Sequence, residues 1–160
     1  LKHTWNKPRD IVTIFIKMKY KYGDKEIIDQ KILRESIKDY CDEAYSEIFE
    51  SVSIECDNDE IILIQKICNS LPKRFSFSEF IRVKNDIVER FSNEFGHKEL
   101  KDNFKYLELM YKYGIIGLID TRYKRSSIVF YYENQNKVVD NSMIFVFHPV
   151  LAMKKGNMKI

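Results

Sequence analysis

The sequence predicts a mostly α-helical protein with a small antiparallel β-sheet, arranged as a winged helix-turn-helix that follows a helical segment. Apolar residues recur with helical period as far as Tyr113, and the pattern then changes to short β-type runs. Three helices, a very short strand after the first of them, and a hairpin after the third are typical of a winged helix. We place the helical segment at residues 1–55 and the winged-helix domain at 56–160.

Composition supports a globular chain with a core of its own. Of 160 residues, 44% are hydrophobic and 14% aromatic, which is enough apolar surface for one domain or one domain with an appendage. The net charge of +3 is too mild for a chain that coats nucleic acid, so such binding would need a local basic patch. Cys41, Cys56 and Cys68 lack CxxC spacing and are expected to be reduced and mostly buried thiols.

The sequence predicts a cytoplasmic location and no membrane partner. No apolar run approaches the ~20 residues that span a bilayer, and no basic-plus-apolar leader occurs. The first residue is leucine, so we expect a piece of a longer protein whose N-terminal part precedes Leu1.

The stretch NKPRDIVTIF predicts the first helix, from Pro8 to Tyr20. Proline is tolerated at the first helical position because the amide that it lacks would be unpaired there, and Asp10 suits the positive end of the helix dipole. Two more helices are expected in the helical segment, at 29–40 and 42–54, and the CDND stretch then caps the next helix.

The winged-helix domain is predicted to begin with three helices. RFSF, at Arg74–Phe77, alternates like a short strand, and Ser78 is expected to cap the helix after it. Gly96 and Gly114 are expected to end the second and third helices. The helices are expected at Asn58–Leu71, Glu79–Phe95 and His97–Tyr113.

The β part is predicted from β-branched and aromatic runs. Ile115–Asp120 and Ser127–Asn134 should form a hairpin around the basic turn Thr121–Ser126, Met143–His148 a third strand, and Pro149 should start a closing helical turn. The hairpin should pack on the first and third helices of the domain. The residues expected to be buried there are Leu107, Tyr111, Ile116, Val129 and Phe145.

No catalytic or metal-binding constellation is found, so the chain is not expected to be an enzyme by itself. His3, His97 and His148 are scattered without metal-ligand spacing, and no GxxxxGK[ST], GxSxG or HExxH motif occurs. Acid pairs lie at helix starts, where capping explains them.

A basic face is the main candidate for binding. Lys98, Lys101 and Lys105 share one side of the third helix, and Arg122, Lys124 and Arg125 cluster at the expected wing tip, where they could contact DNA phosphates. Acidic residues interleave with the lysines, so a plain solvated or protein-contact surface is the alternative. Likewise Phe130–Tyr132 could stack on bases or pack in the core.

Short motifs spread over most of the chain resemble a family. NKPRDIVTIF is similar to the Gly-x-Pro-Arg helix start in the lid domain of AAA+-type and STAND P-loop ATPases, with Asn6–Lys7 where a glycine is usual. Bacterial P-loop ATPases often linked to phage defence show similar motifs in the same order. Here these are KPRD at Lys7–Asp10, Tyr45–Ser46, LMYKYGIIG at Leu109–Gly117 and FHPVL at Phe147–Leu151.

The resemblance implies a lid helix and winged-helix module that ends a P-loop ATPase. Arg9 would be the "sensor 2" arginine that reaches nucleotide phosphates, with ATP and Mg²⁺ bound in the preceding part and no cofactor in this one. The implied function is to bind or sense double-stranded DNA and couple it to ATP turnover. The alternatives are a module that docks on its own ATPase core or a homo-oligomer partner, and an autonomous transcription regulator.

Overall fold

The computed structural model describes residues 8–23, 28–93, 95, 102–123 and 127–156, without the side chains of 8, 9 and 153–156. As the sequence predicts, the fold is mostly helical with a small antiparallel sheet. The helices are α1 (Pro8–Tyr22), α2 (Gln30–Val52), α3 (Asn58–Ser70), α4 (Phe77–Arg90), α5 (Asn103–Lys112) and α6 (Pro149–Gly156). The strands are β1 (Arg74–Ser76), β2 (Ile116–Ile119) and β3 (Ile144–Phe147).

The chain forms two compact units. Unit 1 comprises Leu1–Glu47 together with Pro149–Ile160, and unit 2 comprises Ile48–His148. The units therefore divide the chain after Glu47, where the sequence-based boundary lies after residue 55. They also group α6 with the N-terminal helices, whereas the sequence-based boundary places it in the winged-helix domain.

Unit 1 is built from α1, most of α2, and α6. Its core joins residues of all three helices, among them Ile14, Met18, Ile32, Tyr40 and Val150. The prediction of separate helices at 29–40 and 42–54 is wrong, because α2 runs without a break through Cys41. No glycine or proline lies there to stop it, and Cys41 and Ala44 continue its buried stripe.

Unit 2 has a winged-helix-like order of elements: α3, β1, α4, α5, β2 and β3. Capping boxes start α3, at Asp57 with Glu60, and α4, at Ser76 with Glu79. The cap of α4 is therefore Ser76, three residues before its glutamate, and the prediction of Ser78 is wrong. α4 also ends at Arg90, earlier than the predicted Phe95.

The third helix of unit 2 is shorter in the described part of the chain than the prediction of 97–113. α5 begins after its N-cap Asp102, and residues 96–101 lie outside the described residues. At its C-terminal end, Gly114 has a φ of 69°, and the Ile115 amide donates to the Met110 carbonyl oxygen at 2.8 Å. This is the glycine-dependent helix stop that the sequence indicates.

The sheet has the order β1-β3-β2, and both pairings are antiparallel. The predicted hairpin between 115–120 and 127–134 is wrong as a regular pairing. β2 pairs along its length with β3, and among the described residues only one isolated bridge, Leu118 with Val129, joins it to the other run. Val129 is accordingly half-buried, while the other four residues predicted for this core are buried.

The hairpin fails because the chain turns away immediately after the bridge. Phe130 is buried beside Tyr132, with ring centroids 5.5 Å apart, and residues 131–133 form a turn. The buried Phe130 and His148 rings also meet at 4.9 Å, so the aromatic run contributes to packing. We call residues 120–143, between β2 and β3, the wing segment; 124–126 of it lie outside the described residues.

Candidate functional site

Of the predicted binding residues, only Lys105 and Arg122 have described side chains. Lys105 lies in the first turn of α5, and Arg122 lies at the start of the wing segment. The structure therefore places two of the six members of the proposed basic face, and the grouping of all six stays a prediction. The remaining predicted site residues lie outside the described residues or side chains: Arg9, Lys98, Lys101, Lys124 and Arg125.

Lys105 is held by a carboxylate of α3. Its Nζ donates to Oε1 of Glu60, and the Tyr106 hydroxyl donates to the same oxygen at 3.4 Å. The other oxygen of Glu60 accepts the backbone amide of Asp57, which closes the α3 capping box. The hydrogen bond to Glu60 raises the pKa of Lys105. The Glu60 carboxylate therefore compensates the positive charge of Lys105 within the fold.

Lys112, at the other end of α5, has a similar partner. Its Nζ donates to Oε1 of Glu55 at 2.5 Å, and the Tyr113 hydroxyl donates to that oxygen at 2.6 Å. These two hydrogen bonds lower the pKa of Glu55, and the same contact raises the pKa of Lys112. Both described lysines on the exposed side of α5 are thus paired with glutamates.

Arg122 forms a bidentate ion pair with Asp120, the residue that follows β2. Its Nε and Nη2 donate to the two carboxylate oxygens at 2.8 Å each, and Asp140 lies 3.6 Å from Nη1. Lys137 also donates to Asp120, at 3.2 Å. These donors, Arg122 first, hold the pKa of Asp120 well below its usual range.

A groove of about 500 Å³ lies between α5 and residues 131–139 of the wing segment. Its wall combines tyrosines with charges of both signs, and Val138 on its wall is 72% exposed. One side of the groove is fixed by Tyr111, whose hydroxyl donates to the Asn134 carbonyl oxygen at 2.7 Å. The Tyr131 ring packs edge-on against the Tyr111 ring, with centroids 5.6 Å apart.

The carboxylate partners were the residues that sequence reasoning missed. Asp120 lies two residues before Arg122, a local signal that could have been found, whereas Glu60 and Lys105 are 45 residues apart. The sequence indicates only a capping role for Glu60, and in the structure it both caps α3 and pairs with Lys105.

Other kinds of site find no support in the described part of the chain. There, no group of three or more histidine, cysteine or acidic residues could hold a metal ion. No helix among the described residues is long and apolar enough to cross a membrane. All three cysteines are buried, as the sequence predicts.

Comparisons of the chain with protein-family models, with curated proteins and with solved structures each give no match. The fold itself defines the class of protein: a helical unit and a winged-helix-like unit in one chain.

Proposed function

We propose that this chain is a protein-docking module, and that unit 2 binds a protein surface through the groove between α5 and residues 131–139. The observation that carries the proposal is the charge state of the groove and its surroundings. Lys105, Lys112 and Lys137 line the groove, and each is already paired with a carboxylate of the same chain. Arg122, the cation at the start of the wing segment, is paired in the same way.

Such a surface suits a protein better than a phosphate backbone. Binding of a nucleic acid gains free energy when unpaired lysines and arginines replace the counterions condensed on phosphates. Cations held by Glu60, Glu55 and Asp120 would first have to leave those partners, and the carboxylates would then repel the phosphates. The half-buried Tyr131 and the exposed Val138, with charges of both signs around them, instead suit a protein interface, where aromatic residues are enriched and the rim is polar.

The sequence resemblance supplies a candidate partner for the groove. It implies a P-loop ATPase core encoded upstream of Leu1, in which ATP and Mg²⁺ would bind and toward which Arg9 would point its charge. Docking on that core would let the module respond to ATP turnover without any chemistry of its own. A Walker A motif in the upstream coding sequence is the first observation that this assignment requires.

Selective labelling tests the groove directly. Because the three native cysteines are buried, Val138→Cys introduces one exposed thiol, which can carry an environment-sensitive fluorophore on the groove wall. We expect saturable emission changes when the upstream ATPase core is titrated in. Ile62→Cys, on the exposed side of α3, is the matched control and should not respond. Equal responses at both positions, or none at either, would overturn the proposal.

Nucleic-acid binding is the second candidate, and the winged-helix-like order of unit 2 favours it because α5 occupies the position of a recognition helix. Anisotropy of a labelled duplex at two salt concentrations separates the candidates. Three to five phosphate contacts would give a slope of log K against log salt near −3 to −4, at about −0.9 per contact. Changing Arg122, Lys124 and Arg125 together to alanine would bring that slope closer to zero. If the module docks on a protein instead, the labelled duplex should show no salt-dependent binding.

A further inference from the structure

α1 has two apolar faces, and the described residues cover only one of them. Ile14 and Met18 on the inward face are buried in the core of unit 1. The outward face carries four large apolar residues spaced at i, i+3, i+4 and i+8, with exposed fractions of 55%, 56%, 50% and 91%. These residues, which we call the α1 outer face, are Val12, Phe15, Ile16 and Tyr20.

Exposure of this kind needs an explanation. Single apolar residues are common on protein surfaces, but a contiguous group that includes two aromatic rings marks an interaction site. Aromatic residues are also enriched among those that dominate binding energy.

We propose that two copies of the chain associate through the α1 outer face, with their α1 helices antiparallel about a two-fold axis beside Ile16. The face is centred near Ile16, so a two-fold axis there maps it onto itself. Val12 then lies opposite Tyr20 of the partner subunit, and a small side chain meets a large one at both ends of the contact. Self-complementarity of this type is what a closed two-fold interface requires.

The charges on α1 select the antiparallel orientation. Lys17 is paired with Glu43 at 2.6 Å and Lys21 with Asp39 at 3.1 Å, so both are compensated within unit 1. Lys19 is exposed within the face itself. A parallel pair would place the two Lys19 side chains side by side. The antiparallel pair separates them by roughly 9 Å along the axis, given a rise of about 1.5 Å per residue, which is close to the Debye length of about 8 Å at physiological salt.

The area of the face sets the expected strength. Side chains of these sizes and exposures offer roughly 500 Å² per copy, or about 1,000 Å² in total, which is the lower limit for a specific interface. The dimer should therefore be weak and reversible, with a dissociation constant on the order of micromolar or above.

Sedimentation velocity of the whole chain from low-micromolar to several hundred micromolar concentration tests this inference. We expect a concentration-dependent shift from monomer to dimer for the wild type, and monomer throughout for Phe15→Asp. Ile54→Asp, at an exposed apolar position of unit 2 that does not line the groove, is the matched control and should dimerise like the wild type. A wild type that stays monomeric overturns the inference, and so does a dimer that survives Phe15→Asp or is lost in Ile54→Asp.

Cysteine crosslinking tests the antiparallel orientation of the two α1 helices. A short bismaleimide should join Val12→Cys to Tyr20→Cys when the two variants are mixed, and should join Val12→Cys to itself much less. The reverse ratio would overturn the antiparallel arrangement. Because the α1 outer face and the groove belong to different units, these results are independent of the fluorescence test of the proposed function.

Discussion

At the scale of single residues, the side chain of Asp120 accepts four hydrogen bonds from the wing segment. Its Oδ1 accepts the Arg122 backbone amide at 3.2 Å and Arg122 Nε at 2.8 Å, while Oδ2 accepts from Arg122 Nη2 and Lys137 Nζ. These bonds tie two distant points of the wing segment to the end of β2. One buried carboxylate thus holds the wing segment beside the groove.

The lowered pKa of Asp120 makes this anchor sensitive to acid. A group whose pKa is depressed by folding stabilises the fold fully above its unfolded pKa, about 4 for aspartate, and loses that contribution as pH falls through the folded value. Asp120→Asn removes the charge, so its thermal midpoint should fall less than that of the wild type between pH 5 and pH 2. Circular dichroism gives both curves. Asp59→Asn, which lies outside the described ion pairs, should follow the wild type; identical curves for Asp120→Asn would contradict the anchor.

At the scale of elements, Gly117 determines how closely the wing segment approaches the sheet. A Cβ at this position would lie 2.6 Å from Cγ2 of Ile128 and 2.9 Å from Cε1 of Phe130. The two residues flank Val129, which exchanges two 2.9 Å backbone hydrogen bonds with Leu118. The absence of a side chain at Gly117 leaves room for this close approach, and a Cβ there would force the neighbouring side chains to shift.

Gly117→Ala should therefore displace residues 128–130 and destabilise the fold by about 1–3 kcal/mol, the usual cost of overpacking. Hydrogen exchange should accelerate at the Leu118 and Val129 amides, while the β2–β3 ladder keeps its protection. Val146→Ala, which removes volume opposite Gly117 on β3, should leave those two amides protected. Unchanged exchange at Leu118 in Gly117→Ala would show that the segment is not held as described.

Elements with local signals were predictable, and those with distant partners were not. Gly114 and the capping residues of α3 mark helix ends within a few positions, and Ser76-x-x-Glu79 also carried its own capping-box signal. β2, in contrast, had two apolar runs to pair with, and the chain gives no local reason to prefer 144–147 over 127–134. The same is true of the site. The lysines are evident from the sequence, but their pairing with Glu60 and Glu55 is not, because the partners lie far apart along the chain.

At the scale of the whole molecule, unit 1 is discontinuous in sequence, since unit 2 lies between its two parts. Sequence patterns order elements along the chain, so they group α6 with the strand that immediately precedes it. Its first residues instead contribute to the core of α1 and α2, where Val150 is fully buried with Met18 and Tyr40. The apolar pattern of α6 shows that one side of it is buried, but it does not show which part of the chain covers that side.

Val150→Ala tests whether α6 belongs to the core of unit 1 or to the winged-helix core. Removal of two buried methyl groups should destabilise unit 1 by on the order of 2 kcal/mol, through lost burial and the cavity left behind. Hydrogen exchange followed by mass spectrometry should then be faster in α1 and in residues 30–47 of α2. If α6 instead belonged to the winged-helix core, as the boundary at residue 55 implies, the faster exchange would fall on β1–β3. Leu107→Ala, in the core of unit 2, is the matched substitution and should produce that second pattern, because Leu107 is fully buried on α5, which packs against β2.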